Sequence, residues 1–184
     1  MAQKNYTSER NDYKTPPSVY NNMLAFANRA AFDIDVCCSE ENIPAIRHYI
    51  DGIDDGLKLP WIGSCFLNPP FKYAEKWVRR AVDQVAKSKS IETEIYAVLP
   101  ADRCETKYYQ ECIIKNPHCC FAFLPKKIGF IIPGQEQEDL KASQKIMIAI
   151  FSKRAAEIAY TWNFFGGGQF KTNAFLGKKY EGKE

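Results

Sequence analysis

CFLNPPFKYAEKWVRRAVDQV, residues 65–85, sets the frame for the whole chain. Cys65-Phe66-Leu67 is a short apolar strand, and Asn68-Pro69-Pro70 stops it, because proline has no N–H with which to continue a ladder. Beyond it Phe71, Ala74, Trp77, Val78, Ala81, Val82 and Val85 recur at three- and four-residue steps, the spacing of one apolar helix face. Glu94 to Leu99 then reads as another strand, ended by Pro100. Strand, helix and strand in that succession predict an α/β sheet with parallel pairs.

The flanks extend the pattern. Thr15-Pro16-Pro17 opens a helix, with proline in its first turn and Thr15 as a cap, and Val19, Met23, Phe26 and Ala27 give it one apolar face. Ala31-Phe32-Asp33-Ile34-Asp35-Val36 alternates apolar and acidic residues as a short strand does. A short helix is expected from about Glu40 to Tyr49, and Asp51-Gly52-Ile53-Asp54-Asp55-Gly56 is a turn region. Later come a helix around Glu105 to Ile114, a strand from Cys119 to Leu124 and a further strand within Lys127 to Ile132. Ile146-Met147-Ile148-Ala149-Ile150-Phe151, apolar throughout, is expected as a buried central strand. The predicted organisation is a flexible segment 1–12, a single α/β domain over 13–160, and a Gly-, Lys- and aromatic-rich tail over 161–184, to which no structure is assigned.

Composition bounds the function. The chain has 184 residues, 46% hydrophobic and 26% charged, which suffices for one core without disulfide or metal staples. A net charge of +3 excludes a polybasic arm as the main device but allows a local basic face. The seven cysteines include no C-x-x-C, and the two histidines, His48 and His118, stand far from zinc-like spacing, so no metal site is expected and the thiols read as reduced. No apolar run approaches the ~18 residues that span a bilayer, and the N-terminus lacks an apolar signal region. The expectation is a soluble cytoplasmic protein.

In open α/β sheets ligands sit outside the carboxyl ends of strands. Three such ends carry polar chemistry here: Asp35-Val36-Cys37-Cys38-Ser39, Asn68-Pro69-Pro70-Phe71 and Pro100-Ala101-Asp102. The second supplies an amide oxygen, carbonyls without ladder partners and an aromatic face. That set suits an exocyclic amine on a planar base: its two N–H groups would donate to the Asn68 oxygen and the Pro69 carbonyl while the ring stacks on Phe71. Taken alone, the tetrapeptide reads equally as a strand-ending turn with a core phenylalanine.

Asn68-Pro69-Pro70-Phe71 resembles the motif of amino-group methyltransferases that use S-adenosylmethionine. The wider arrangement is similar to the phage-type DNA N6-adenine methyltransferase family: Tyr13-Lys14-Thr15-Pro16, then Phe32-Asp33-Ile34-Asp35-Val36 with Ser39 and Asn42, Asp55-Gly56-Leu57, Trp61, the N-P-P-F and Leu99-Pro100-Ala101. The resemblance runs from about Tyr13 to Phe151. It implies a Rossmann-like class I methyltransferase fold, S-adenosylmethionine as cofactor, and duplex DNA with a flipped adenine as substrate, with a phage or prophage origin and protection of DNA from host restriction. Asn68, Pro69, Pro70 and Phe71 would hold the adenine. Tyr13, Thr15, Pro16, Asp35, Cys37 and Asp55 would meet the cofactor, Asp35 near its amino-acid end and Asp55 at its adenine. Lys72, Arg103, Lys126 and Lys127 would contact the DNA backbone, and the polar stretch Pro133–Gln144 is the candidate recognition loop. The resemblance leaves the oligomeric state open.

Two departures from the family pattern stand out. Cys37-Cys38-Ser39 occupies the place of the usual Gly-x-Gly turn, and only 33 positions separate Asp35 from Asn68, too few for two full β-α units, so a shortened sheet is expected. They motivate an alternative, a non-catalytic nucleic-acid-binding or partner subunit. Within the enzyme class the alternative is methylation of RNA or of a protein glutamine. Asp51 and Asp54 are the candidates for a ribose-binding acid, and Trp61 reads as packing.

Overall fold

The computed structural model describes residues 13–131, 143–164 and 175–176. The segment 1–12, most of the loop Pro133–Gln144 and most of the tail 161–184 lie outside them. In chain order the elements are α1 (Pro17–Ala27), β1 (Phe32–Cys38), β2 (Ala45–Ile50), β3 (Ser64–Leu67), α2 (Ala74–Lys87), β4 (Glu94–Pro100), α3 (Lys107–Tyr109), β5 (Cys119–Phe123), β6 (Ile128–Gly129), β7 (Ser143–Gln144), β8 (Ile146–Ser152), α4 (Ala155–Phe164) and β9 (Phe175–Leu176). A 3₁₀ turn, Phe71–Tyr73, leads into α2, and α3 continues as a π turn over Gln110–Ile114, with Lys115 N–H reaching back to the Gln110 carbonyl at 3.0 Å.

One mixed sheet runs β2-β1-β3-β4-β8-β5-β9, and β6-β7 form a separate antiparallel pair. β1 is parallel to both β2 and β3, and β3 is parallel to β4. β8 is antiparallel to β4 and to β5, so β5 points the same way as β3 and β4. Every residue of β8 is buried, as its uninterrupted apolar run requires. On one face α2 (Trp77, Val78, Ala81, Val85) and the α3–π segment (Tyr108, Tyr109, Cys112, Ile113) pack on Cys65, Leu67, Ile95, Ala97 and Met147. On the other, α1 (Val19, Met23, Leu24) and α4 (Ala155, Ile158, Ala159) cover Phe66, Tyr96, Val98, Ile148 and Ile150. The result is helices on both faces of a sheet, the layered solution for alternating elements.

The helix expected over Glu40–Tyr49 does not form. Pro44 lies inside it, which removes one N–H and drives Ile43 out of the helical region. The Pro44 carbonyl instead accepts from Phe32 N–H at 2.9 Å, and Ala45–Ile50 continues as β2 at the sheet edge, with Ile46 80% exposed. Residues 39–44 therefore return the chain between two parallel strands without a helix, a shorter crossover than such pairs normally use.

The loop that follows fills the space. Trp61 is buried, stacks on Trp77 at 6.1 Å between centroids, and donates its indole N–H to the Gly56 carbonyl at 2.7 Å. From α2, Gln84 accepts from Trp61 N–H at 2.8 Å and Arg80 donates to the Leu59 carbonyl at 3.0 Å. Trp61 is thus a packing residue, as the sequence indicated.

Candidate active site

The chain order β2-β1-β3 places a topological switch between β1 and β3. Strand β2 departs to one side of β1 and β3 lies on the other, which opens a crevice at their carboxyl ends. A cleft of about 520 Å³ lies there. It gathers Tyr13, Thr15, Asp35, Cys37, Asp55, Asn68 and Pro70 from the sequence-predicted set, although Tyr13 and Asn68 stand 55 positions apart in the chain. The size is that of a small-molecule or cofactor site.

Asp35 is the residue the fold alters most. It stands near the end of β1, only 1% exposed, and accepts a hydrogen bond from Cys37 N–H at 3.3 Å. Burial pushes its carboxyl up to about 7, against smaller opposing contributions from that N–H and from His48, its cross-strand partner on β2. Asp33, two residues earlier, is structural: its Oδ2 accepts Ser64 N–H at 2.7 Å and ties β1 to the start of β3. Cys37 and Cys38 are held firmly as thiols, Cys38 up to about 12, through burial first and the Asp35 charge second. Neither is a nucleophile at neutral pH.

Where a Gly-x-Gly turn was missing from the sequence, β1 ends in a register irregularity between Asp35 and Cys38. Close approach is provided by another glycine. A Cβ on Gly56 would lie 2.2 Å from the Val36 carbonyl oxygen and 3.1 Å from the Trp77 ring. The 51–57 loop can press against β1 only because that residue has no side chain. The loop brings Asp51, Asp54 and Asp55 to the cleft. Asp54 accepts Ile50 N–H at 3.2 Å, while a hydrogen bond from Lys58 holds the exposed Asp55 carboxyl below the usual carboxylate range. Among the described residues four aspartates, Asp35 included, and one lysine, Lys76, line the cleft, with Asp55 paired to Lys58 at 2.9 Å and Asp35 held partly protonated by burial. The remaining excess of carboxylate favours a cationic group inside the cleft.

Asn68 stands directly after β3. Its Nδ2 donates to Thr15 Oγ1 at 3.0 Å, and its Oδ1 accepts nothing from the described residues. Thr15 and Pro16 are buried where the N-terminal segment crosses the cleft, and Thr15 makes no cap bond to α1. Pro69 is buried beside the cleft. Phe71 turns away from the cleft lining: its ring meets the edge of Phe130 at 5.8 Å and packs with the α1-side core. Tyr73, 44% exposed, lines the cleft in its stead, with Lys76 Nζ 4.8 Å and Lys72 Nζ 5.6 Å from its ring centroid. Tyr73 and Lys76 were not singled out among the cleft residues by sequence, because nothing local marks which face of the turn opens to solvent.

The four expected DNA contacts lie in segments that follow carboxyl ends of parallel-pointing strands: Lys72 after β3, Arg103 after β4, Lys126 and Lys127 after β5. The topology therefore brings them to the same carboxyl-end side of the sheet as the cleft. Arg103 lies 3.8 Å from Asp102 in an exposed pair.

The sequence matches the DNA N-6-adenine-methyltransferase (Dam) family over residues 3–163. The chain belongs to that family. A curated relative, the DNA N-6-adenine-methyltransferase of Haemophilus phage HP1 (strain HP1c1), is 25% identical over 150 residues, covering 80% of this chain and 82% of the phage protein. No solved structure matches. The family match spans the cleft, both strands that form it and the Asn68 motif. Among the described residues no helix is long and apolar enough to cross a membrane.

Proposed function

We propose that the protein transfers a methyl group from S-adenosylmethionine to the N6 amine of adenine in DNA, on a Rossmann-like methyltransferase fold in which the segment between β1 and β3 is shortened. The observation that carries this reading is the pairing of two groups across the switch point. A buried carboxylic acid, Asp35, stands at the end of β1, and Asn68, whose amide oxygen has no partner among the described residues, stands at the end of β3 beside two prolines.

The residues present fit the cofactor. The cleft has the volume and its wall has the sign of charge for a cationic ligand, and Gly56 lets the 51–57 loop close on β1. Asp35 would hold the ammonium of the amino-acid end, Asp51 at the end of β2 would face the ribose hydroxyls, and Asp55 would accept from the adenine amine of the cofactor. Tyr13, Thr15, Pro16 and Cys37 complete its surroundings. When bound, S-adenosylmethionine supplies an electrophilic methyl on a sulfonium.

The protein's own part is orientation. Asn68 Oδ1 and the Pro69 carbonyl accept the two N–H groups of the target amine, which draws its lone pair out of the ring and aims it along the line of transfer. The amine proton then passes to solvent. Reaching that amine in a duplex requires extruding the base, at roughly a few kcal/mol. Pro70 lines the base pocket, Phe71 braces it from the Phe130 side, and Lys72, Arg103, Lys126 and Lys127 hold the phosphates around it.

The test is direct. Duplex DNA incubated with the protein and S-adenosylmethionine is digested to nucleosides and analysed by mass spectrometry. N6-methyladenine that disappears with Asn68→Ala supports the reading. Cofactor binding without any methylated nucleoside rules it out, and methylation confined to RNA or to glutamine reassigns the substrate.

A further inference from the structure

We propose that Tyr73 is the aromatic wall of the cofactor's purine slot: the adenine of S-adenosylmethionine packs on its ring, across the cleft from the 51–57 loop. The inference rests on the methyl-transfer reading above and gives a role to a residue outside the Asn68 motif.

Among the described residues five aromatics line the cleft, and four of them are packed into the protein. Tyr49 is buried and donates its hydroxyl to the Pro60 carbonyl at 2.7 Å. Phe66 is buried against Phe32, with 5.3 Å between centroids, and Trp77 stacks on Trp61. Tyr13 packs on the α1-side core. Tyr73 belongs to neither core cluster and its ring is exposed. An aromatic left open in a cleft of cofactor size is a stacking face. The ammoniums near it, Lys76 Nζ and Lys72 Nζ, sit on exposed side chains. Such contacts are weak in water, and a stacked base displaces them.

The place of the ring decides which adenine it meets. The 3₁₀ turn after the prolines sends its two aromatics to different sides: Phe71 packs against Phe130 in the α1-side core, while Tyr73, at the start of α2, lines the cleft. Trp77 follows Tyr73 by four residues, one helical turn on the same face. A Cβ on Gly56 would lie 3.1 Å from the Trp77 ring. The side of α2 that carries Tyr73 is therefore the side on which the 51–57 loop closes, and that loop holds Asp55, the acceptor proposed for the cofactor's adenine amine. The turn also fixes the ring's base, since Tyr73 N–H donates to the Pro70 carbonyl at 2.8 Å and Pro70 lines the cleft too. Charge points the same way. S-adenosylmethionine is charged at its sulfonium and amino-acid end and neutral at its purine. Asp35 draws the positive groups to the end of β1, whereas Lys76 beside Tyr73 disfavours the sulfonium there and leaves that place to the purine.

Tyr73→Ala and Tyr73→Phe in the full chain test the proposal. Calorimetry measures their affinity for S-adenosylmethionine and for 5′-methylthioadenosine, which keeps the purine and ribose and lacks the amino-acid end. Tyr73→Ala is expected to weaken both ligands about tenfold, the order of one lost stacking face. Tyr73→Phe, which keeps the ring, is expected to stay within about threefold of wild type for both. Because the side chain is exposed, the urea midpoints of both variants are expected to match wild type. Unchanged affinity in Tyr73→Ala overturns the proposal, as does a loss confined to S-adenosylmethionine, which puts the ring at the amino-acid end. An equal loss in both variants assigns the effect to the hydroxyl and overturns it, and so does a midpoint that falls in step with affinity. Weaker binding of duplex DNA with cofactor affinity intact moves the ring to the target base and overturns it too. The methyl-transfer reading fails separately: a wild-type protein that binds both ligands yet methylates no adenine refutes that reading, and Tyr73 is still judged by the affinities. A wild-type protein that binds neither ligand overturns both.

Discussion

Asp35→Asn is the substitution whose consequences the structure fixes most closely. The native carboxyl is buried and pushed up to about 7 from 3.8, while an asparagine in its place has no charge to bury and keeps an oxygen for Cys37 N–H. Between pH 4 and pH 7 the folded protein retains a proton that the unfolded chain releases. Asp35 therefore subtracts stability as pH rises through that window, by about 1.4 kcal/mol per unit. Above pH 7 both states are ionised and the loss levels off at about 4 kcal/mol. Without cofactor, Asp35→Asn is thus expected to be more stable than wild type at pH 8, by up to that amount, and the two are expected to converge below pH 4. For a chain of this size a 4 kcal/mol difference moves Tm by roughly 10 °C. The same carboxyl should pay back on binding: a cation held beside it favours the ionised form, so S-adenosylmethionine binding at pH 6 should release close to one proton, and at pH 8.5 almost none. Calorimetry in buffers of different ionisation enthalpy measures that release. Equal melting of the two proteins at pH 8, or proton release independent of pH, would refute the reasoning.

Other residues give shorter tests. Gly56→Ala places a methyl 2.2 Å from a backbone carbonyl, which neither strand β1 nor the Trp77 ring can clear, and should cost about 2–3 kcal/mol in urea unfolding while weakening cofactor binding. Trp61→Phe removes the N–H that satisfies the buried Gly56 carbonyl and should lower the urea midpoint by the equivalent of about 1–3 kcal/mol with the slope unchanged. Lys72→Ala and Lys126→Ala should each reduce the slope of log affinity for duplex DNA against log salt by about one, uniformly across sequences; an unchanged slope removes that lysine from the DNA face.

How much of this was legible in the chain differs element by element. β3, α2, β4 and β8 follow from local pattern, because a period of two or of 3.6 and a proline stop are contained within a few residues. β2 was read as a helix over Glu40–Tyr49, which the single Pro44 inside that stretch rules out. Within the site, residue types were readable and their orientation was not. Phe71 was expected to face the base, yet Phe130, 59 positions later, claims one edge of its ring. Neither the Gly56–Val36 approach nor the Thr15–Asn68 bond has any local signature, since each joins segments that the sheet alone brings together.

That dependence on the sheet explains why a chain so short between its two key residues can keep the site. Asp35 and Asn68 line one cleft because β1 and β3 are direct neighbours, with Ile34 opposite Cys65 and Asp35 opposite Phe66. Whatever lies between the two strands has only to return the chain to the start of β3. A helix-free crossover over 39–44 and a tryptophan-pinned loop do this as well as a full β-α unit would, provided that a glycine lets the loop close on β1. The shortened segment therefore costs covering structure at the β2 edge, where Ile46 is left exposed, while β1 and β3 stay direct neighbours with Asp35 opposite Phe66.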